Sequence, residues 1–246
     1  YSVSALFGTL SAQKKQNLEM VDIDPSFLLN GQTPRLIDEW QLAPKLWDAI
    51  RYEVDKRDEF GQFVLTGSAV PADLSEISHS GTGRISRMLM RPMSLYESGE
   101  SNGSVSLADL FSDNEKVTGT NSLDLEQIAF LICRGGWPKS IGTNTDVALQ
   151  LAINYFDAVV NDDISRVDNV KRDSEKTKRI LRSYARSIAS QAKISSITQD
   201  VYANEGTEDL TNKNATISSY ISALKKIFVI EDSLAWNPNL RSKTAI

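Results

Sequence analysis

Two sets of polar residues, each directly after a short apolar run, are the residues in this sequence best suited to chemistry. The run at residues 34–37 ends in Asp38 and Glu39, and the run at residues 62–65 ends in Thr66-Gly67-Ser68. Short apolar runs bounded by polar residues are typical of buried strands. Because ligands of open α/β sheets bind at the carboxyl ends of the strands, the two runs predict a nucleotide site at one edge of a sheet.

An adjacent aspartate and glutamate suit metal-assisted hydrolysis. Asp38 can hold Mg²⁺ through oxygen, and Glu39 can orient or deprotonate a water molecule. The same pair also occurs where a strand enters a solvated turn, so it is weak on its own. The second run, with the hydroxyls of Thr66 and Ser68, is what favours a nucleotide site.

Several stretches, taken in order, resemble the prokaryotic AAA-type ATPases that carry a C-terminal domain of unknown function. These stretches are Arg-Leu-Ile-Asp-Glu-Trp-Gln from residue 35, Ala-Pro-Lys-Leu-Trp-Asp from 43, Gly-Gln-Phe-Val-Leu-Thr-Gly-Ser-Ala from 61, His-Ser-Gly-Thr-Gly-Arg from 79, Met-Arg-Pro-Met-Ser-Leu from 90, Arg-Gly-Gly-Trp-Pro from 134 and Trp-Asn-Pro from 236. The resemblance covers most of the chain.

The resemblance implies a catalytic role for each of several residues. Asp38 and Glu39 would be the Walker B pair, with Asp38 as the metal ligand. Thr66 and Ser68 would lie at the sensor strand, with Asp38 and Thr66 contacting the nucleotide. Arg84 would be the arginine of a Gly-Arg motif that recognises the γ-phosphate. The implied cofactors are ATP and Mg²⁺, and the implied partners include ATP and further copies of the chain.

The phosphate loop of that family, G-x-x-x-x-G-K-[ST], does not occur in these 246 residues. One interpretation is a fragment that starts after the loop, since the chain opens at Tyr1 rather than Met. The other is a degenerate member that never had the loop. We favour the fragment, and under either interpretation we expect no ATPase activity from these residues alone.

The composition is typical of a globular protein in a reducing compartment. Hydrophobic residues make up 41% of the chain and charged residues 24%. A single cysteine, Cys133, excludes an intramolecular disulfide, and one Cys with one His cannot form a Cys/His zinc site within one chain. No apolar run approaches the roughly 20 residues that span a bilayer. We therefore expect a cytoplasmic protein without a membrane partner.

The pattern of apolar runs predicts an α/β fold. The sheet would be mostly parallel and would be followed by an all-α region with a winged-helix-like end. The resemblance implies that the sheet is of the P-loop (AAA) type and lacks its phosphate-loop strand. Strands are predicted at residues 2–7, 34–37, 62–65 and 85–90. The predicted domains are a partial nucleotide-binding domain at 1–98, a connection at 99–122 and a mostly helical module at 123–246. The helix at 123–133 carries Leu125, Ile128, Ala129 and Ile132 on one face.

A winged helix is predicted at about residues 174–240. Helices at 174–190, 196–202 and 216–226, with Thr216 as the N-cap of the last, would be followed by a strand at 227–230 and a hairpin partner at 233–236. The exposed face of the last helix would meet DNA or protein. It carries Ser218, Ser219, Ser222, Lys225 and Lys226.

Two functions from different classes remain open, and a third is only hinted at. The first is an AAA-type NTPase. The second is a non-enzymatic winged-helix module that binds DNA or protein. DNA binding would need a basic stripe around Lys213, Lys225 and Lys226, whereas the net charge of −5 and the nearby acidic residues weaken it. The third, a nuclease, rests only on the restriction-endonuclease-like segment with which the resembling family often continues.

Overall fold

The computed structural model of the protein describes residues 2–3, 11–69, 80–112, 118–203 and 209–233. Within these ranges the strands are β1 (Ser2–Val3), β2 (Arg35–Ile37) and β3 (Phe63–Leu65). The α-helices are α1 (Ser11–Ile23), α2 (Leu46–Arg57), α3 (Leu107–Leu110), α4 (Leu125–Arg134), α5 (Thr145–Ala158), α6 (Ile164–Arg166), α7 (Ser174–Ala185), α8 (Ile194–Val201) and α9 (Leu210–Lys226). Short 3-10 turns occupy Pro25–Leu29, Trp40–Leu42 and Pro138–Ser140, and a π-helical turn at Val159–Asp163 lies between α5 and α6.

The strands form a parallel sheet in the order β1-β2-β3, with Leu36 opposite Val64. The predicted parallel pairing of residues 34–37 with 62–65 is therefore confirmed. The connection from β2 to β3 contains α2, as parallel strands require a crossover. β3 is the last strand of the described sheet.

The core beside the sheet explains why β2 and α2 form where they do. Leu29, Ile37 and Leu46 are fully buried. They belong to one apolar cluster that also contains Val21 of α1 and Ile50 of α2. Burial of each such side chain contributes about 1.5–3 kcal/mol relative to exposure. On β3, Phe63 and Leu65 pack against this core while Val64 points the other way and is 49% exposed, as the alternation of a strand requires.

The chain divides into two compact units, one made of Tyr1–Arg87 with Val160–Ile246 and the other of Met88–Val159. In the second unit α4 packs on α5. A capping box between Asp124 and Gln127 starts α4, and the side chain of Asn144 caps α5. The domain boundaries predicted from the sequence stay a prediction.

The helices α7, α8 and α9 pack on one another in the first unit. Buried Arg172, just before α7, contacts residues of α6, of the segment after α6 and of α9. Its guanidinium donates to the carboxylate of Asp168 and to the carbonyl of Ile164, and it lies 5.7 Å from the ring of Tyr220. The hydrogen bonds from Arg172 hold the pKa of Asp168 below its ordinary value.

Three local predictions are wrong. Residues 85–90 form no strand, because the described chain offers them no neighbouring strand and Met88 and Met90 are both 92% exposed. Residues 227–230 form no strand either, since α9 is followed by a turn with Phe228 at a φ of 58°. Thr216 is not an N-cap: α9 begins at Leu210, and the Thr216 hydroxyl donates to the carbonyl of Asn212 inside the helix.

The winged-helix prediction is not settled by these corrections. The hairpin partner predicted at 233–236 lies, apart from its first residue, outside the described residues. The winged helix at about 174–240 therefore stays a prediction. Among the helices that the structure describes, none is both long and apolar enough to cross a membrane.

Candidate functional site

The carboxyl ends of β2 and β3 are held side by side beyond the strands themselves. The amide of Thr66 donates to the carbonyl of Ile37 over 3.0 Å, and the amide of Trp40 donates to the carbonyl of Thr66 over 3.1 Å. Between them Glu39 adopts a left-handed backbone conformation, with φ 57° and ψ 39°. This conformation is uncommon for residues other than glycine. It turns the chain sharply, so that Asp38 and Glu39 both stay at the strand end.

Two side-chain hydrogen bonds cross between the strand ends. The hydroxyl of Thr66 donates to Oδ1 of Asp38 over 2.7 Å, and the hydroxyl of Ser68 donates to Oε2 of Glu39 over 3.2 Å. The carboxylates are half-buried and the hydroxyls are exposed. The prediction that these four residues cluster at one end of adjacent strands is confirmed. Their chemical roles stay predictions.

Gln41 is a member of this cluster that the sequence reasoning missed. Its amide nitrogen donates to Oε2 of Glu39 and, over 3.4 Å, to the hydroxyl of Ser68. The 3-10 turn Trp40–Leu42 brings the side chain back over the strand ends. The only signal in the sequence was a glutamine two residues after Glu39, and polar residues in turns are common enough that this signal carries no role by itself.

Arg84 contacts helix α2 and not the residues at the strand ends. The tight turn around Gly81 places its Nε 2.7 Å from Oδ1 of Asp55 on α2. This hydrogen bond raises the pKa of Arg84 and lowers that of Asp55. With Arg51, Ser80 and Thr82, Arg84 lines an open cavity of about 200 Å³. The structure joins Arg84 to α2 rather than to the carboxylates at the strand ends, and its role toward a γ-phosphate stays a prediction.

The fit of Mg²⁺ to this site rests on Asp38. The described residues contain no group of three or more His, Cys, Asp or Glu side chains that could hold a metal ion. Mg²⁺ in nucleotide sites is held by one or two carboxylates together with phosphate oxygens and water. One carboxylate beside the Thr66 hydroxyl fits that donor set.

The lysines predicted to face DNA are partly engaged within the chain. The ammonium of Lys213 lies 4.9 Å from the ring centre of Tyr202, and that of Lys176 lies 5.3 Å from the same ring. Lys225 pairs with Asp232. A phosphate backbone would have to compete with these contacts, so the geometry gives the DNA-binding alternative no added support.

Comparison with known families divides the chain into two parts. Residues 4–99 match the family described as AAA domain, and residues 125–246 match a family described as a domain of unknown function (DUF8612). No curated protein and no solved structure matches the chain. The first match includes the strand ends that carry Asp38, Glu39, Thr66 and Ser68. Residues 4–99 are therefore related to the AAA-type P-loop NTPases, a class of ATP-binding proteins, and a domain of unknown function follows them.

Proposed function

We propose that the strand-end cluster is the hydrolytic part of an AAA-type ATPase site. The observation that carries this proposal is the pair of hydrogen bonds between neighbouring parallel strands, Thr66 to Asp38 and Ser68 to Glu39. A nucleotide bound at this edge would meet both carboxylates together. The AAA domain match over residues 4–99 supports the same assignment.

In this proposal each residue has a separate task. Asp38, oriented by the Thr66 hydroxyl, would hold Mg²⁺ through its carboxylate. Mg²⁺ bound there would supply positive charge to the phosphate oxygens of ATP. Glu39 orients the attacking water and accepts its proton. Ser68 donates to Glu39 and keeps its carboxylate at the strand end, and Arg84 recognises the γ-phosphate.

The test is the variant Glu39→Gln in the full-length protein. The amide keeps the size of the side chain but cannot accept the proton of the water, so we expect ATP binding to persist while turnover falls about 100-fold or more. Steady-state phosphate release and ATP affinity are the measurements. Glu19→Gln is the matched control, because Glu19 is exposed on α1 and its ion pair with Lys15 lies at the surface.

Two outcomes would overturn the proposal. One is turnover by Glu39→Gln equal to that of the unsubstituted protein. The other is a full-length protein that neither binds nor hydrolyses ATP. Residues 1–246 by themselves are expected to show no ATPase activity above a no-protein control, because they contain no phosphate loop to hold the β-phosphate.

A further inference from the structure

The amide of Gln41 closes a ring of hydrogen bonds around the carboxylate of Glu39. Gln41 and Ser68 both donate to Oε2 of Glu39, and Gln41 also donates to the hydroxyl of Ser68. Two donors on one oxygen restrict the rotation of the carboxylate. The remaining oxygen, Oε1, takes neither of these two hydrogen bonds.

Gly67 provides the space that Gln41 occupies. A Cβ atom built on Gly67 would lie 2.3 Å from Oε1 of Gln41 and 3.3 Å from Cδ1 of Trp40. The first distance is far inside van der Waals contact, so any larger residue at position 67 must displace the amide. The glycine between Thr66 and Ser68 therefore allows the contact between Gln41 and Glu39.

The backbone at the strand ends does not depend on this side chain. The hydrogen bonds from Trp40 to Thr66 and from Thr66 to Ile37 connect main-chain atoms only. The amide of Gln41 can thus be removed without removing the contacts that align β2 with β3. What its removal changes directly is the orientation of Glu39.

We infer that Gln41 is a positioning residue that sets the orientation of the Glu39 carboxylate for hydrolysis. The inference rests on the proposed function, because it assigns Gln41 a task only if Glu39 orients the water. With Oε2 held by Gln41 and Ser68, Oε1 is the oxygen that meets the water. A catalytic group held in its productive geometry reacts faster than one that samples several orientations.

The test is a double-mutant cycle in the full-length protein. We expect Gln41→Ala to lower kcat about 10-fold and to leave both KM and ATP affinity unchanged, because the substitution acts on the chemical step alone. In the Glu39→Gln background the same substitution should change kcat less than about 2-fold, because the group that it positions is already inactive. Gln16→Ala on α1, an exposed helical position, is the matched control.

Gly67→Ala is an independent test that leaves Gln41 in the chain. Its Cβ pushes away the end of a flexible side chain, so we expect the fold to persist and kcat to fall to about the level of Gln41→Ala. The double variant Gln41→Ala/Gly67→Ala should then be no slower than Gln41→Ala. A kcat of the double variant below that of Gln41→Ala would show that the substitution at residue 67 lowers turnover without acting through Gln41. Gly67→Ala would then give no support to the role inferred for Gln41.

The outcomes separate the inference from the function on which it rests. Turnover unaffected by Glu39→Gln refutes the proposed function. Turnover lowered by Glu39→Gln but unaffected by Gln41→Ala overturns the inference alone. The inference is also overturned if Gln41→Ala weakens ATP binding, or if it lowers kcat as much in the Glu39→Gln background as in the unsubstituted protein, since either result marks a structural role.

Discussion

Two glycine-containing motifs in this molecule differ in what lies against the glycine. In Thr66-Gly67-Ser68, the nearest atom to a Cβ on Gly67 is the end of the Gln41 side chain. In the stretch from Arg134 to Trp137, a Cβ on Gly136 would lie 2.2 Å from the carbonyl oxygen of Met93 and 2.8 Å from its nitrogen. A side-chain end can move at little cost, whereas a backbone hydrogen-bonded in place cannot. The first glycine therefore serves a polar contact, and the second serves the close approach of two chain segments.

The charged side chains at the two motifs also differ in their partners. Arg134 is 4% exposed, and it donates to the carboxylate of Glu100 and to the carbonyl of Gly135. Its charge is satisfied by the protein. Asp38 and Glu39 are half-buried and accept hydrogen bonds from neutral hydroxyl and amide groups. Carboxylates that are oriented but not neutralised can still take a cation or a proton, and of these two motifs it is the strand ends that carry such carboxylates.

The largest effect is expected at Gly136. Gly136→Ala should lower the free energy of unfolding of the unit Met88–Val159 by more than about 3 kcal/mol, because the new Cβ meets backbone and breaks the hydrogen bond from the Met93 amide to the Gly136 carbonyl. Denaturant unfolding followed by the fluorescence of Trp137 measures it. An unchanged midpoint would show that the two glycines are alike after all.

A smaller effect is expected from the ion pair beside that glycine. Glu100→Gln should cost roughly 2 kcal/mol at neutral pH, because it leaves buried Arg134 without its carboxylate partner. Glu126→Gln on the exposed surface of α4 is the matched control. Thermal or denaturant unfolding of both variants provides the measurement.

The stabilisation by the Arg134–Glu100 ion pair is expected to depend on pH in a definite direction. The hydrogen bond from Arg134 holds the pKa of Glu100 below its ordinary value. The stabilisation is therefore complete above the unfolded-state pKa, about 4.3 for glutamate, and is lost as the pH falls through the lower folded-state value. The difference in stability between the unsubstituted protein and Glu100→Gln should shrink on acidification below pH of about 4. A difference that grows there would contradict the assignment.

The smallest effect on stability is expected at Gly67. Gly67→Ala should change the free energy of unfolding by less than about 1 kcal/mol, because the displaced group is the end of a flexible side chain on a half-exposed surface. Unfolding in denaturant beside Gly136→Ala measures the contrast directly. A loss at Gly67 as large as that at Gly136 would mean that the strand ends are held by packing rather than by polar contacts.

Helix α4 shows where sequence reasoning reaches its limit. Its apolar spacing predicted a helix with Leu125, Ile128, Ala129 and Ile132 on one face, and the helix is present. Yet Leu125 is 85% exposed and Ile132 76% exposed, while Leu131 and Arg134 are the buried positions. Periodicity shows that a helix is amphipathic, but which face is covered depends on the elements that reach it. Arg134 is buried because Glu100 is brought to it.

The strand predictions show the same limit. The runs at 34–37 and 62–65 pair as predicted because each has a neighbour in the sheet. The runs at 85–90 and 227–230 have comparable apolar content but form no strand. A strand is completed by hydrogen bonds to another strand, so its formation cannot be decided from its own residues.

The sequence by itself determined that Asp38, Glu39, Thr66 and Ser68 follow two apolar runs, and parallel strands then bring such residues to one edge because their carboxyl ends coincide. Only the tertiary structure decided which atoms meet there. The left-handed backbone at Glu39 and the space over Gly67 let Gln41 turn back onto the carboxylate. These contacts depend on distances between residues far apart in the chain, such as Gln41 and Ser68. Such distances cannot be calculated from the spacing of residues along the sequence.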